Sequence, residues 1–95
     1  MFIIDITYTV PLDELDSQLT AHRSYLDKYY AQNIFIASGR KEPRTGGIIL
    51  ALAADKAVIE NIIKEDSFYI CKLATYTVTE FIPTKYHPAV KDLLE

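Results

Sequence analysis

The clearest helical pattern in this sequence lies in residues 12–33, which read LDELDSQLTAHRSYLDKYYAQN. Apolar side chains and one histidine recur there at steps of four and three residues, at Leu15, Leu19, His22, Leu26 and Tyr29. This spacing places them on one face of an α-helix. The pattern predicts a helix that lies on a sheet, with the imidazole of His22 in or beside the core.

Strand patterns lie on both sides of this helix. Apolar and polar side chains alternate in residues 2–10 and again in residues 73–82, which is typical of a strand with one buried face. Two shorter apolar runs, residues 34–38 and about 47–53, are joined by a polar loop and predict a hairpin. A second helix is expected after Asp55, whose side chain can cap it.

The predicted order is strand, helix, strand, strand, helix, strand. This order favours a ferredoxin-like βαββαβ fold of the α+β class, with one antiparallel four-stranded sheet and both helices on one face. We expect the first and last strands, which are the longest, to form the central pair. The chain of 95 residues predicts one domain over residues 1–83, followed by a tail over 84–95 that contains a short amphipathic piece.

Composition excludes several classes of function. The apolar fraction of 49% is enough for a core, and the net charge of −3 provides no general field that attracts nucleic acid or anionic lipid. No long apolar span is present, so we expect a soluble cytoplasmic protein with no membrane partner. The single cysteine, Cys71, rules out an intrachain disulfide and is expected to be a buried thiol. No cysteine or histidine cluster has metal-ligand spacing, so neither a metal nor a cofactor is expected.

His22 and Asp66 are candidates for an acid–base pair. His22 is either a histidine at the core edge that donates to a backbone carbonyl, or a titratable catalytic group. Asp66 continues the inward face of the second helix at its carboxyl end, where the helix dipole disfavours an anion. It therefore needs a partner, which is either the turn at Ser67 and Phe68 or the imidazole of His22. A carboxylate on one ring nitrogen would leave the other as a general acid or base near neutral pH.

The loop from Ser38 to Gly47 is a second candidate. It holds three cations, Arg40, Lys41 and Arg44, and its glycines allow the backbone to approach a ligand closely. Arginine suits a carboxylate or a phosphate, whereas the alternative is a solvated hairpin loop. The spacing is not that of a P-loop or a dinucleotide-binding turn.

The second face of the predicted sheet is polar, with threonines on the first and last strands. It is either solvated or packed on a second copy of the chain. We favour packing on a second copy, because a chain of this size gains stability when it doubles its core.

Five short motifs resemble, in order, those of the YciI-like (YCII-related) proteins. They are AHRSYL at 21–26, FIASG at 35–39, PRTGGIIL at 43–50, EDSF at 65–68 and EFIP at 80–83. The resemblance covers about residues 1–86. It implies a ferredoxin-like fold that forms homodimers of the dimeric α+β barrel type by packing sheets together. It also implies that His22 and Asp66 are a His–Asp pair at a pocket, with Ser38 and Gly39 near it.

This chain departs from the family pattern at two positions. Ser67 stands where a proline usually follows the aspartate, which affects only the geometry of the turn. Leu19 stands where an arginine is often found three residues before the histidine. A substrate-binding cation is therefore missing, and either the substrate differs or Arg40 and Arg44 replace that charge.

The resemblance implies lyase-like elimination on an oxygenated aromatic ring, which is the best-supported chemistry of the family. We therefore expect a small cofactor-free enzyme in which His22 moves a proton on a small anionic or phenolic molecule. Asp66 would orient His22, and Arg40 or Arg44 would hold the acid group. The alternative is a module that binds a small molecule without chemistry, or a dimeric interaction module.

Overall fold

The computed structural model describes residues 1–94 and consists of one four-stranded sheet with helices packed on one face. The strands are β1 (Phe2–Tyr8), β2 (Phe35–Arg40), β3 (Gly46–Ala51) and β4 (Ala74–Glu80). The helices are α1 (Leu12–Asp16), α2 (Leu19–Ala31), α3 (Lys56–Ile63), α4 (Ser67–Ile70) and α5 (Lys91–Leu94), and a 3₁₀ turn covers Pro88–Val90. The predicted ferredoxin-like α+β fold is confirmed.

The sheet has the order β2-β3-β1-β4, and all neighbouring strands are antiparallel. The prediction that the first and last strands form the central pair was wrong, because β4 lies at an edge and β3 shares the centre with β1. The connection from β1 through α2 to β2 skips one position in the sheet. Strand β3, which returns from β2 as a hairpin, fills that position and pairs with β1 over six residues.

The core lies between the sheet and helices α2 and α3. The alternation in β1 buries Phe2 and Ile4 completely, while α3 contributes Ile59 and Ile62 to the same cluster. Two tyrosines of α2, Tyr25 and Tyr29, complete it and are 7% and 5% exposed. Burial of these side chains fixes both helices on one face of the sheet.

The helix predicted over residues 12–33 is divided at Ser17 and Gln18. The hydroxyl of Ser17 donates to the carbonyl of Glu14 at 2.6 Å, and Gln18 leaves the helical region at φ −110° and ψ 8°. A short polar side chain that bonds to the backbone competes with helix formation in this way. The end of the helix is as predicted, since Asn33 takes the left-handed conformation at φ 59° that commonly ends helices.

The second predicted helix begins as expected but ends early. Asp55 caps α3 by accepting a hydrogen bond from the backbone nitrogen of Val58 at 3.1 Å. Because α3 ends at Ile63, Asp66 does not lie on it; Asp66 is the N-cap of the next helix, α4. The short turn that the sequence predicts after Asp66 is therefore α4.

The end of α4 and the tail lie outside the core. Cys71 is exposed rather than buried, because it is the C-cap of α4 and the chain turns away there through Lys72 at φ 57°. In the tail, His87 is exposed and caps the 3₁₀ turn by accepting from the backbone nitrogen of Ala89. The division into a domain over 1–83 and a tail over 84–95 stays a prediction. No helix within residues 1–94 is both long and apolar enough to cross a membrane.

Candidate active site

A cavity of about 440 Å³ opens between α2, the β2–β3 hairpin and the inner face of β1. Five of the six residues predicted from the sequence line it, namely His22, Ser38, Gly39, Arg40 and Arg44. The sixth, Asp66, is fully buried and reaches the cavity only through its contact with His22. Residues separated by up to 44 positions in sequence are therefore brought to one site.

His22 stands on the first turn of α2, and its side chain is 12% exposed. Its ring stacks on the ring of Phe68 with 4.1 Å between centroids and 7° between planes. Nδ1 lies 2.7 Å from Oδ1 of Asp66. Because a carboxylate accepts, we assign the proton to Nδ1, which leaves the lone pair of Nε2 free. The imidazole is thus held on one face and at one nitrogen, with the other nitrogen available for proton transfer.

Asp66 accepts three hydrogen bonds in a position closed to solvent. Oδ1 accepts from Nδ1 of His22 at 2.7 Å and from the backbone nitrogen of Phe68 at 3.2 Å. Oδ2 accepts from the hydroxyl of Tyr76 at 2.6 Å. A buried carboxylate requires such donors, because an unpaired charge in the core is strongly destabilising. The two partners considered from the sequence, the turn after Asp66 and His22, therefore bind it together.

The three cations of the predicted anion-binding loop have different positions and partners in the structure. Arg40 is the last residue of β2 and lines the cavity, whereas Lys41 pairs with Asp5 at 2.6 Å and does not line it. Arg44 lines the cavity and forms an ion pair with Asp16 at the end of α1. This contact lowers the pKa of Asp16 and raises the pKa of Arg44. Arg44 is therefore largely neutralised by Asp16 before any ligand binds.

Arg23 is a cavity residue that the sequence reasoning missed. It follows His22 directly on α2 and lines the same cavity. Within residues 1–94, no ion pair joins Arg23 or Arg40 to an acidic group. The position of Arg23 directly after His22 in the sequence could have predicted that it lines the cavity. Residues that flank the buried stripe of a helix can line a cleft at the edge of that helix. Arg23 therefore supplies a positive charge at this cavity beside His22.

Two further predicted residues shape the wall formed by β2. The hydroxyl of Ser38 is 2.7 Å from the hydroxyl of Tyr30, so a hydrogen bond joins β2 to α2 at this point. Gly39 has open space where a side chain would begin, since no atom lies within 4 Å of a Cβ placed there. Gly39 pairs with Ile48, which pairs with Asp5, so this open space lies on the face of the sheet opposite to the helices and Gly39 lines the cavity through its backbone.

No metal centre is apparent in the part of the chain that the structure describes. No group of three or more histidine, cysteine, aspartate or glutamate side chains among residues 1–94 could hold an ion. The chemistry available at the cavity is that of an imidazole held by a carboxylate, with arginines in the lining of the same cavity. This arrangement is suited to proton transfer on a polar or anionic small molecule.

Comparison with known proteins shows which family model and which solved structure the chain resembles. The model of the YCII-related domain matches residues 1–82, which include all four strands and the six predicted site residues. No curated protein matches the chain. Among solved structures, the chain is similar to 5-chloro-2-hydroxyhydroquinone dehydrochlorinase (TftG) from Burkholderia phenoliruptrix AC1100, in complex with 2,5-dihydroxybenzoquinone. The TM-score is 0.72 at 17% identity, over 86% of this chain and 94% of that chain, which shows a shared fold.

Proposed function

The chain belongs to the YCII-related domain family, and we propose that it is a small enzyme that moves protons on a small phenolic or anionic molecule. The observation that carries the proposal is the 2.7 Å contact between His22 and a fully buried Asp66 at the edge of a cavity. An imidazole fixed at one nitrogen by a carboxylate is a common general acid–base group. No cofactor is needed for this step.

His22 would act as the base and Asp66 would orient it. Nε2 of His22 accepts a proton from a ring hydroxyl of the bound molecule. The electron pair left on that oxygen moves into the ring, and the imidazolium returns the proton to the carbon that carries the chlorine, which gives the keto tautomer. His22 then accepts the proton of a second ring hydroxyl, the electron pair left there forms a new carbonyl and ring double bond, and chloride departs with the electrons of the broken C–Cl bond. The bound molecule thereby loses one proton and one chloride ion. Asp66 stabilises the imidazolium that forms and holds its ring in the correct tautomer.

The arginines would select the charge of the molecule. Arg23 and Arg40 are free of ion pairs within residues 1–94, so they are the stronger candidates for holding a carboxylate or a phenolate. Arg44 would need to leave Asp16 before it could contribute. Similarity of the fold to TftG, a dehydrochlorinase of a hydroxyhydroquinone, supports an oxygenated aromatic ring as the substrate class.

The protein would work as a homodimer. Threonines of β4 and Asp5 of β1 lie on the face of the sheet opposite to the helices, at paired positions such as Asp5 and Thr77. Ile3 and Leu50 add apolar area on the same face, where they are also paired. A second copy packed on this face would bury these side chains and enlarge a small core.

The test compares wild type with two histidine variants. His22→Ala removes the proposed base, and His87→Ala is the matched control because His87 is exposed in the tail. Calorimetry with 2,5-dihydroxybenzoquinone measures binding, and release of chloride from 5-chloro-2-hydroxyhydroquinone measures turnover. We expect His22→Ala to lose roughly 10²–10⁴-fold in kcat, which is the usual contribution of positioned acid–base help.

The outcomes of this test distinguish the proposed enzyme from a module that binds without chemistry. Turnover that survives in His22→Ala at the wild-type rate contradicts the proposed mechanism. Binding to the wild type without turnover of any chlorinated or hydroxylated phenol favours a module that binds without chemistry. The control His87→Ala should match the wild type in both measurements.

A further inference from the structure

We infer that Tyr76 is a positioning residue of this site, and that its hydrogen bond holds the carboxylate of Asp66 in its orientation towards His22. The inference rests on the proposed function and adds a third member to the pair predicted from the sequence. The hydroxyl of Tyr76 donates to Oδ2 of Asp66 at 2.6 Å, while His22 holds Oδ1.

The geometry gives each oxygen of Asp66 a different task. Oδ1 accepts from His22 and from the backbone of Phe68, so it is fixed by a helix terminus. Oδ2 has Tyr76 as its donor, and Asp66 itself is completely buried. The plane of the carboxylate is therefore set by contacts at both ends. Without the hydroxyl of Tyr76 the carboxylate would keep its contact with His22 but lose the contact that opposes its rotation.

Tyr76 is suited to this task because it stays a donor. Burial, followed by the negative charge of Asp66, raises the pKa of Tyr76 far above its ordinary value. Its hydroxyl is therefore protonated throughout the neutral range. The ring is held by an edge-on contact with Tyr69, with 5.9 Å between ring centroids.

Tyr76 lies outside the cavity that would receive the substrate. Its ring lines a separate cleft between α3 and β4, beside Ile63 and Val78. A change at Tyr76 can therefore reach the reacting atoms only through Asp66 and His22. This separation distinguishes a positioning role from a binding role, because a positioning residue should affect kcat while leaving KM nearly unchanged.

Tyr76→Phe is the informative variant, since it deletes one oxygen and retains the ring that packs against the core. Tyr69→Phe is the matched control, because Tyr69 is 43% exposed and its ring touches Tyr76, while its hydrogen bond to Asp66 joins backbone atoms and is kept in the variant. We expect kcat of Tyr76→Phe to fall about tenfold, the loss typical of a hydrogen bond to a charged group. We expect KM to stay within about twofold, since an unchanged KM marks an interaction made only in the transition state.

The pH dependence supplies a readout that a purely structural role would not change. Loss of a donor disfavours the charged carboxylate, so Tyr76→Phe should lose activity at a higher pH than wild type as the pH is lowered. The NMR signal of the His22 Nδ1 proton should disappear at the same higher pH, and this measurement requires no substrate. Tyr69→Phe should follow the wild type in both.

The outcomes separate the two proposals. If the Nδ1 proton signal disappears at the same pH in Tyr76→Phe as in wild type, the positioning role is overturned, whatever the activity. We call this pH the acid limit of the signal. A shifted acid limit in a protein that turns over no substrate supports the role of Tyr76 and contradicts the proposed enzyme. A rise in KM with unchanged kcat would also overturn the inference, because it would make Tyr76 a binding residue.

Discussion

At the scale of single residues, the site depends on a carboxylate that has no access to water. Asp66 is 0% exposed and is satisfied by one imidazole, one backbone nitrogen and one phenol. Removing the side chain leaves three donors without their acceptor, of which the backbone nitrogen of Phe68 is buried and the other two are partly buried. Such a loss is more costly than the loss of an exposed ion pair, because water cannot replace the missing partner.

Asp66→Ala should therefore be strongly destabilising. We expect a loss of about 3–5 kcal/mol in the free energy of unfolding, the range found when one partner of a buried pair is removed. Urea denaturation followed by circular dichroism measures it. The control is Asp27→Ala on the exposed side of α2, for which a change within about 0.5 kcal/mol is expected. A loss below about 1 kcal/mol for Asp66→Ala would contradict the description of this side chain as a buried, paired charge.

The contact of His22 with Asp66 could be anticipated from sequence, whereas the partner on the other oxygen could not. The spacing of His22 along α2, and the resemblance to a family, pointed to a site. Tyr76 is an unexceptional aromatic residue on a strand, and only the order of strands places it opposite Asp66. Arg23 was missed for a related reason, since it lies beside the apolar stripe of the helix and not on it.

At the scale of elements, the close pairing of β1 with β3 depends on a glycine. The sequence suggested that Gly46 and Gly47 let the backbone approach a ligand. In the structure Gly46 is buried in β3 and faces the backbone of β1. A Cβ at Gly46 would lie 2.9 Å from the carbonyl carbon of Ile6 and closer still to its oxygen. The backbone of a neighbouring strand cannot move aside without disrupting the ladder.

Gly46→Ala should separate these two central strands. We expect the free energy of unfolding to fall by about 3 kcal/mol, at the upper end of the usual cost of overpacking. Gly39→Ala is the matched control, because the added methyl group meets open space at that position. Thermal and urea denaturation of both variants measure the difference. Equal stability of the two variants would contradict the register of β1 on β3.

The spacing of apolar residues predicted one long helix and did not reveal that it is divided in two. Leu15 and Leu19 fit one continuous stripe, yet Ser17 and Gln18 separate α1 from α2. Leu15 is buried in a small separate cluster that includes Phe68, whereas the buried tyrosines of α2 belong to the main core. The central pair of strands was mispredicted from strand length, a weaker guide than the connection of each strand to its neighbours.

At the scale of the whole molecule, the open face of the sheet is the surface through which we propose that two copies of the chain associate. Thr75, Thr77 and Thr79 are exposed along β4, and the apolar residues Phe81 and Ile82 follow them at 39% and 80% exposure. A single chain of this length buries a small fraction of its surface, so pairing through this face would add to its stability.

The proposed homodimer predicts a mass twice that of the chain. We expect sedimentation equilibrium of the wild type to give this mass at micromolar concentration. Thr79→Lys should shift the protein towards monomer, because it places a charge opposite the apolar Ile3 in the proposed interface, where it would be buried without a partner. Thr20→Lys, at an exposed position on α2, is the control and should remain dimeric. A wild type that stays monomeric at hundreds of micromolar contradicts the proposed dimer.

The protonation of the His22 ring can be measured without any knowledge of the substrate. Long-range ¹H–¹⁵N NMR of the neutral imidazole distinguishes the two tautomers, and His87→Ala assigns the signals of the two histidines. We expect a proton on Nδ1, where Asp66 accepts it, and a bare Nε2 whose resonance moves when 2,5-dihydroxybenzoquinone is added. A proton on Nε2, or an Nε2 signal that no phenolic or quinone ligand shifts, would show that the imidazole is not the base of this cavity.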